Sequence, residues 1–252
     1  MKTALVTGAT AGFGLAICKT LIQAGYKVIG TGRRADRLSQ LHLELGEHFL
    51  PLAFDVSNIE QTQKALNSRP EGWQNIDLLV NNAGLALGLE PAHKVELSDW
   101  MQMIDTNIKG LVAVTRLILP EMVEKNSGHI INLGSIAGNY AYPGGNVYGG
   151  TKAFVKQFSL NLRADLAGTK VRVSNIEPGL CGGTEFSNVR FKGDTEKAEK
   201  LYENVDYVSP QDIANIVLWL NQQPEHVNIN RIEVMPTAQT FSALNVSKTK
   251  TV

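Results

Sequence analysis

The sequence predicts an α/β fold: one domain over residues 1–252, built as a doubly wound parallel sheet of about seven strands. Three observations predict it. Short apolar runs alternate with longer segments whose apolar residues recur at helical spacing, the pattern of successive βαβ units. A glycine-rich turn, Gly8-Ala9-Thr10-Ala11-Gly12-Phe13-Gly14, lies between the first strand and the first helix. Such a turn lets a diphosphate approach a helix N-terminus, as in Rossmann-type folds. Finally, 252 residues, 43% of them hydrophobic, suffice for one core. No repeat, linker or low-complexity tract marks a second domain.

Taken in order, Lys2 to Thr7 reads as a short buried strand. Phe13 to Ala24 carries Leu15, Ile17, Cys18, Leu21 and Ile22 at helical spacing, and Gly25 stops it. The alternation continues with a strand at 27–31, a helix at 36–45, a strand at 49–54, a helix at 59–67 and a strand at 76–80. A long apolar-rich helix is expected from Asp99 to Glu124, then a strand from His129 to Leu133 and a helix from Tyr148 to Leu166. A strand at 171–176, helices at 195–204 and 210–221, and a last strand from Ile229 to Val234 complete the pattern. Gly149 and Gly150 each cost such a helix about 1 kcal/mol against alanine. They imply that something packs close to that face or that the helix begins there.

Charge and composition exclude several roles. Lysine plus arginine (24) equals aspartate plus glutamate (24), so no net field draws the chain to nucleic acid or an anionic membrane. No apolar run approaches the ~18 residues that span a bilayer, and Met1-Lys2 leads straight into a strand without a signal-peptide layout, so a cytoplasmic protein is expected. Cys18 and Cys181 lack metal-ligand neighbours, which predicts neither a disulfide framework nor a metal site.

The second strand ends Thr31-Gly32-Arg33-Arg34, where an NAD site would often carry an acidic residue for the ribose 2′-hydroxyl. Two cations at a helix N-terminus oppose its dipole unless an anion lies between them. A 2′-phosphate fits, and with it NADP, held by guanidinium forks. Arg33 is the expected direct contact, whereas Arg34 reads equally well as a contact or as a solvated surface residue.

At the other end of the reasoning stand Ser135, Tyr148 and Lys152. A spacing of four places Tyr148 and Lys152 on one helix face. A cation beside a phenol that titrates near ~10 favours the phenolate, so an acid/base pair is expected.

Together with Asn81-Asn82-Ala83-Gly84, Asn107 and Pro178-Gly179, these motifs resemble the short-chain dehydrogenase/reductase family over nearly the whole chain. The resemblance implies that Ser135 orients the substrate oxygen, Tyr148 exchanges its proton, and Lys152 lowers the tyrosine pKa while holding the nicotinamide ribose. It implies that Asn107 positions a relay water, that Asp55-Val56 contacts adenine and that Asn82 lies beside the adenosine ribose. The loop from Pro178 and Gly179 to Thr184 would cover the nicotinamide, with the threonine one residue later than in the commonest spacing.

The strings 82–88, 148–154 and 183–191 are similar to a bacterial branch of NADP-dependent 3-hydroxy acid dehydrogenases, which includes serine or allo-threonine dehydrogenases and malonic semialdehyde reductases. That implies reversible oxidation of small 3-hydroxy acids with NADP. A carboxylate substrate needs a cation. Arg190 and Lys192 are the candidates, Arg190 the preferred one, and both also read as ordinary loop charges. A reductase of bulkier carbonyls such as 3-ketoacyl groups, and a non-catalytic nucleotide sensor, remain alternatives. The family resemblance and the apolar surface of the helix at 99–124 imply a homotetramer, with the tail after Pro236, carrying Phe241, Leu244 and Val246, reaching a neighbour.

Overall fold

A computed structural model of the protein describes residues 1–241. Its seven strands are β1 (Thr3–Val6), β2 (Lys27–Gly32), β3 (Phe49–Ala53), β4 (Leu78–Asn81), β5 (Gly128–Leu133), β6 (Val171–Pro178) and β7 (Arg231–Val234). They form one parallel sheet in the order β3-β2-β1-β4-β5-β6-β7. Alternate side chains serve opposite layers, as the two-residue strand period requires. From β1, Ala4 and Val6 face a core shared with α1 (Gly12–Gln23), α2 (Ala35–Leu45) and α9 (Pro210–Gln222). Leu5 faces the other core, with α3 (Ile59–Asn67), α5 (Leu111–Glu124) and α6 (Asn146–Asp165). The expected doubly wound sheet is therefore present, and the strand order reverses between β1 and β4, where such sheets open a crevice at their C-terminal edge.

The long helix expected at 99–124 is three pieces. These are α4 (Leu97–Ile104), a π-helical turn (Asp105–Gly110) and α5. The π turn is packed in place: a Cβ on Gly110 would lie 2.8 Å from Val56 Cγ2, and Asn107 is buried within it. Between β6 and α9 lie α7 (Phe186–Arg190), which the periodicity missed, and α8 (Thr195–Lys200), shorter than the helix expected at 195–204. Helix α6 begins at Asn146, ahead of its two glycines. A Cβ on Gly149 would sit 2.9 Å from Ala137 O, so this glycine permits close packing of the turn after β5. Gly150 faces open space.

Buried polar side chains fix α5 and α6 to the sheet. Asn81 Nδ2 donates to Thr115 Oγ1 (2.9 Å) and Asn132 Oδ1 (2.8 Å), and Asn132 Nδ2 donates to Ser159 Oγ (2.8 Å). Hydrogen-bonded networks of this kind help specify one register between layers, with Asn81 Oδ1 left buried without a partner. Of the tail residues, Phe241 packs its ring 5.2 Å from that of Tyr140, while Leu244 and Val246 lie outside the described residues.

Candidate active site

The C-terminal edge of the sheet opens a cleft of about 440 Å³. Its lining runs from Gly8, Thr10, Arg33 and Asp55 at one end to Ser135, Tyr148, Lys152 and Arg190 at the other. Ala11, Gly12, Phe13, Arg34, Val56, Asn82, Pro178, Gly179 and Thr184 also line it. The sheet topology thus brings together residues from segments far apart in the chain.

The glycine turn is shaped by exclusion. A Cβ on Gly14 would lie 2.1 Å from Gly8 O and 2.7 Å from Asn82 Nδ2, so only glycine fits the first helical turn. Gly8 adopts φ +69° and Gly12 φ +52°, the left-handed region. The result is a floor without side chains at the N-terminus of α1, which suits an anionic diphosphate. Asn82 braces that floor, its Nδ2 donating to Thr7 O (2.8 Å) and Gly8 O (3.2 Å). Its amide hydrogens thus go to the protein backbone, so it shapes the site expected to hold a ribose. Thr184 packs its Cβ and Cγ2 against Gly12 and accepts from Phe186 N (3.2 Å).

The two arginines divide their work differently from the sequence expectation. Arg33 stands at the mouth with its side chain 65% exposed, and its nearest charge is Asp55, at 3.9 Å. Arg34 is already engaged: Nε and Nη2 donate to Thr10 Oγ1 (3.1 and 2.7 Å), and Nη1 pairs with Glu185 at 2.8 Å. Arg37 pairs with the other Glu185 oxygen at 2.7 Å. Hydrogen bonds from Arg37 and then Arg34 hold the Glu185 carboxyl below the usual range, against its partial burial. Glu185, which sequence reasoning passed over, therefore ties the loop before α7 to α2 across the cleft. Asp55 accepts from Ser57 N (2.9 Å) and Ser57 Oγ (2.7 Å), capping the strand end that places Val56 in the wall.

At the reacting end, Ser135 follows β5, its Oγ accepting from Ala137 N (3.1 Å) and donating to Pro178 O (3.4 Å). Tyr148 and Lys152 come from the first turns of α6, both buried. Lys152 Nζ donates to Leu133 O (2.7 Å) and sits 5.9 Å from the Tyr148 ring centroid. Burial pushes Lys152 down to about 8. The phenol is moved in the direction opposite to that expected from its lysine neighbour. Burial pushes Tyr148 up to about 12, opposed by the Ser135 hydrogen bond and the Arg190 charge. Desolvation disfavours the charged form of both groups, and it is the leading influence on each.

Asn107 spends its side chain inside the protein. Oδ1 accepts from Leu85 N (2.9 Å), and Nδ2 donates to Leu85 O (2.8 Å) and Thr151 Oγ1 (3.0 Å). It locks the loop after β4 to the catalytic helix, and none of its amide hydrogens is left for the expected relay water.

Arg190, on α7, faces the reacting end. Its guanidinium carbon lies 5.6 Å from the ring centroids of both Tyr142 and Tyr148, and Nη2 donates to Tyr142 OH (2.8 Å). Its backbone O accepts from Gly88 N (2.8 Å), which moors α7 to the loop after β4. The other candidate, Lys192, is instead paired with Asp99 at 2.7 Å. Tyr142 has no motif signal; only its nearness to Arg190 in space reveals it. Among the described residues, no group of three or more His, Cys, Asp or Glu side chains converges as a metal site, and no helix is long and apolar enough to cross a membrane.

A doubly wound sheet with a glycine floor at its switch point, facing Ser135 and the buried Tyr148 and Lys152, is the layout of a dinucleotide-binding protein. The family model described as short chain dehydrogenase matches residues 2–194, and the chain belongs to that family. A probable NADP-dependent dehydrogenase of Haemophilus influenzae is 77% identical over 98% of both chains. The NADP-dependent 3-hydroxy acid dehydrogenase YdfG of Escherichia coli K12 is 60% identical over 97% of this chain and 98% of its own. Among solved structures, the closed form of serine dehydrogenase complexed with NADP+ superposes with a TM-score of 0.97 at 60% identity, covering 98% of this chain and 100% of that one.

Proposed function

We propose that this protein, an NADP-dependent oxidoreductase of the short-chain family, acts in the cytoplasm to interconvert the 3-hydroxyl and 3-oxo groups of small 3-hydroxy acids. L-serine, L-allo-threonine and the 3-hydroxypropionate/malonic semialdehyde pair are the substrates of this reading. The observation that carries it is Arg190, a cation fixed 5.6 Å from the Tyr148 ring centroid by a hydrogen bond to Tyr142. A carboxylate there would place a hydroxyl two carbons away, on C3, beside Tyr148.

The cofactor's fit rests on the glycine floor, which any side chain at Gly14 would fill, and on Arg33, exposed at the mouth to meet a 2′-phosphate. NADP when bound supplies the nicotinamide C4 that takes or gives the hydride. Ser135 Oγ orients the substrate oxygen. Tyr148 OH passes the proton, as donor in reduction and as acceptor in oxidation. Because burial raises the phenol to about 12, Tyr148 stands ready as a donor, and oxidation draws on Ser135 and then Arg190 to stabilise its deprotonated form. Of the three Lys152 protons, one goes to Leu133 O, and the Nζ lies along the wall shared with Tyr148. Asn107 is a positioning residue that holds Leu85 and Thr151.

Assembly as a homotetramer belongs to the same reading. Met101 on α4 and Phe154 on α6 are 48% and 37% exposed, Phe154 stacks on Phe158 at 5.7 Å, and Gly150 leaves room for a neighbouring helix.

Substrate profiling tests the proposal. L-serine, L-allo-threonine and 3-hydroxypropionate are offered with NADP or NAD, and malonic semialdehyde or a carrier-linked 3-ketoacyl group with NADPH. Turnover of the small acids with NADP favoured is expected. Turnover of the ketoacyl substrate alone would overturn it.

A further inference from the structure

Glu177 is the one acidic side chain fully buried among the described residues, at 1% exposure, and no step above uses it. We propose that Glu177 and Asn139, joined by Arg231, are positioning residues that hold the Ser135 turn in register with Tyr148. The proposal rests on the reading of Ser135 and Tyr148 as the reacting pair.

Glu177 lies on β6 directly before Pro178, whose carbonyl receives the Ser135 hydroxyl. Four donor contacts converge on its two oxygens. Oε1 accepts from Asn175 Nδ2 (2.8 Å) and Arg231 Nε (2.9 Å), and Oε2 from Asn139 Nδ2 (2.7 Å) and Arg231 Nη2 (2.6 Å). A bidentate fork of this kind fixes angle as well as distance. Asn139 closes the single 3-10 turn, Ile136–Gly138, that Ser135 opens. Its Oδ1 accepts from Lys156 Nζ (2.9 Å) and Arg231 Nη2 (3.3 Å), and Lys156 also reaches Gly138 O (3.3 Å). On the outer side, Glu233 accepts from Asn139 Nδ2 (2.9 Å) and Tyr140 OH (3.0 Å). The turn is so close to the catalytic helix that a Cβ on Gly138 would lie 2.7 Å from the Lys152 carbonyl carbon. The serine is therefore fixed at one end by Pro178 and at the other through Asn139, which is held to β6 and β7 by Glu177 and Arg231 and to α6 by Lys156.

An ion pair between the buried Glu177 and an Arg231 side chain 40% exposed is weak evidence for stability, because apolar side chains of similar volume often serve as well. What it supplies here is direction. Turned from the long contact with Pro178 O to the phenol oxygen, the one Ser135 hydroxyl proton is the chief influence opposing burial at Tyr148; Arg190 acts in the same sense, and Tyr142 and Cys181 in the other. A loosened Ser135 turn leaves the phenol less acidic.

The test is a double-mutant cycle on the full chain, with L-serine oxidation by NADP followed from neutral to alkaline pH. Asn139→Ala and Glu177→Gln are each made with Ser135 intact and with Ser135→Ala, and NADPH fluorescence titration checks every variant for an intact cofactor site. With Ser135 intact, each substitution is expected to lower kcat at least tenfold, to move the rise of kcat with pH upward, and to leave NADPH affinity within about threefold. In the Ser135→Ala background the same substitutions should cost less than twofold. Equal losses in both backgrounds, or loss through NADPH affinity, would show a merely structural network and overturn the proposal. Inactivity of the parent chain on L-serine would count against the substrate reading alone. The cycle then runs on an acetoacetate ester with NADPH, whose reduction needs the same Ser135 and Tyr148.

Discussion

Replacing Arg190 by glutamine tests the carboxylate assignment with little change in side-chain volume. Arg190 is half-buried, flanked by Tyr142 and Tyr148 at 5.6 Å and hydrogen-bonded to Tyr142 OH at 2.8 Å, so its charge is delivered in a fixed direction. A hydrogen bond to a charged group contributes about 1.5–3 kcal/mol, and each ~1.4 kcal/mol is tenfold. Loss of the contact should therefore cut kcat/KM for L-serine by roughly 10- to 150-fold. Arg190→Lys keeps charge but loses the fork and the ring contact, and should recover part of that loss. A second effect has a definite sign. The Arg190 charge lowers the Tyr148 phenol against burial, so its removal raises that group further. Oxidation needs the deprotonated tyrosine, so the rise of kcat with pH should shift to higher pH. Initial rates on L-serine and on its methyl ester, which lacks the carboxylate, separate the two effects. An equal loss of kcat/KM for acid and ester would refute the carboxylate assignment.

The remaining predictions concern other parts of the molecule. Tyr148→Phe should lower turnover by about 10²–10⁴-fold, the usual contribution of general acid-base catalysis, while NADPH titration stays within a few-fold; surviving turnover would reject Tyr148 as the proton carrier. Arg33→Ala should weaken NADP by one to a few kcal/mol, roughly the worth of a charge-assisted hydrogen bond, and leave NAD unchanged, an outcome read from the two dissociation constants. His129 is buried between Ser174 and Asn221 and pushed down to about 3 by burial and then by the Arg172 charge. The folded state therefore refuses a proton that the unfolded chain accepts near 6.5, so stability falls as pH drops below about 6.5 towards 3; thermal unfolding of His129→Gln should show a flatter acid limb. Light scattering should find a tetramer that weakens when residues after Thr240 are removed. A stable monomer of the intact chain would overturn the assembly, and an unchanged truncated tetramer only the tail's part in it.

The order of strands and helices was legible in the sequence because periodicity and glycine punctuation are local signals. The glycine turn, the Tyr148-Lys152 pair and Arg33 were legible for the same reason: each is a short motif at a fixed place in a βα unit. What the sequence left undecided depends on residues distant in the chain. Arg34 reads equally as a phosphate contact or a solvated residue, and only the fold shows Glu185, 151 positions away, within 2.8 Å of it. The family resemblance implies a relay role for Asn107, but only the fold shows that Leu85 and Thr151 close on its amide. Helical spacing placed Lys152 beside Tyr148, but only burial from every side decided that desolvation would raise the phenol. No local motif marks Glu177 in the sequence. Its burial follows from Arg231 and Asn139, which the parallel pairing of β6 with β7 and the turn after β5 bring to it. Backbone periodicity is written residue by residue, whereas the charge a side chain carries and the partner it finds are set by the whole tertiary arrangement around it.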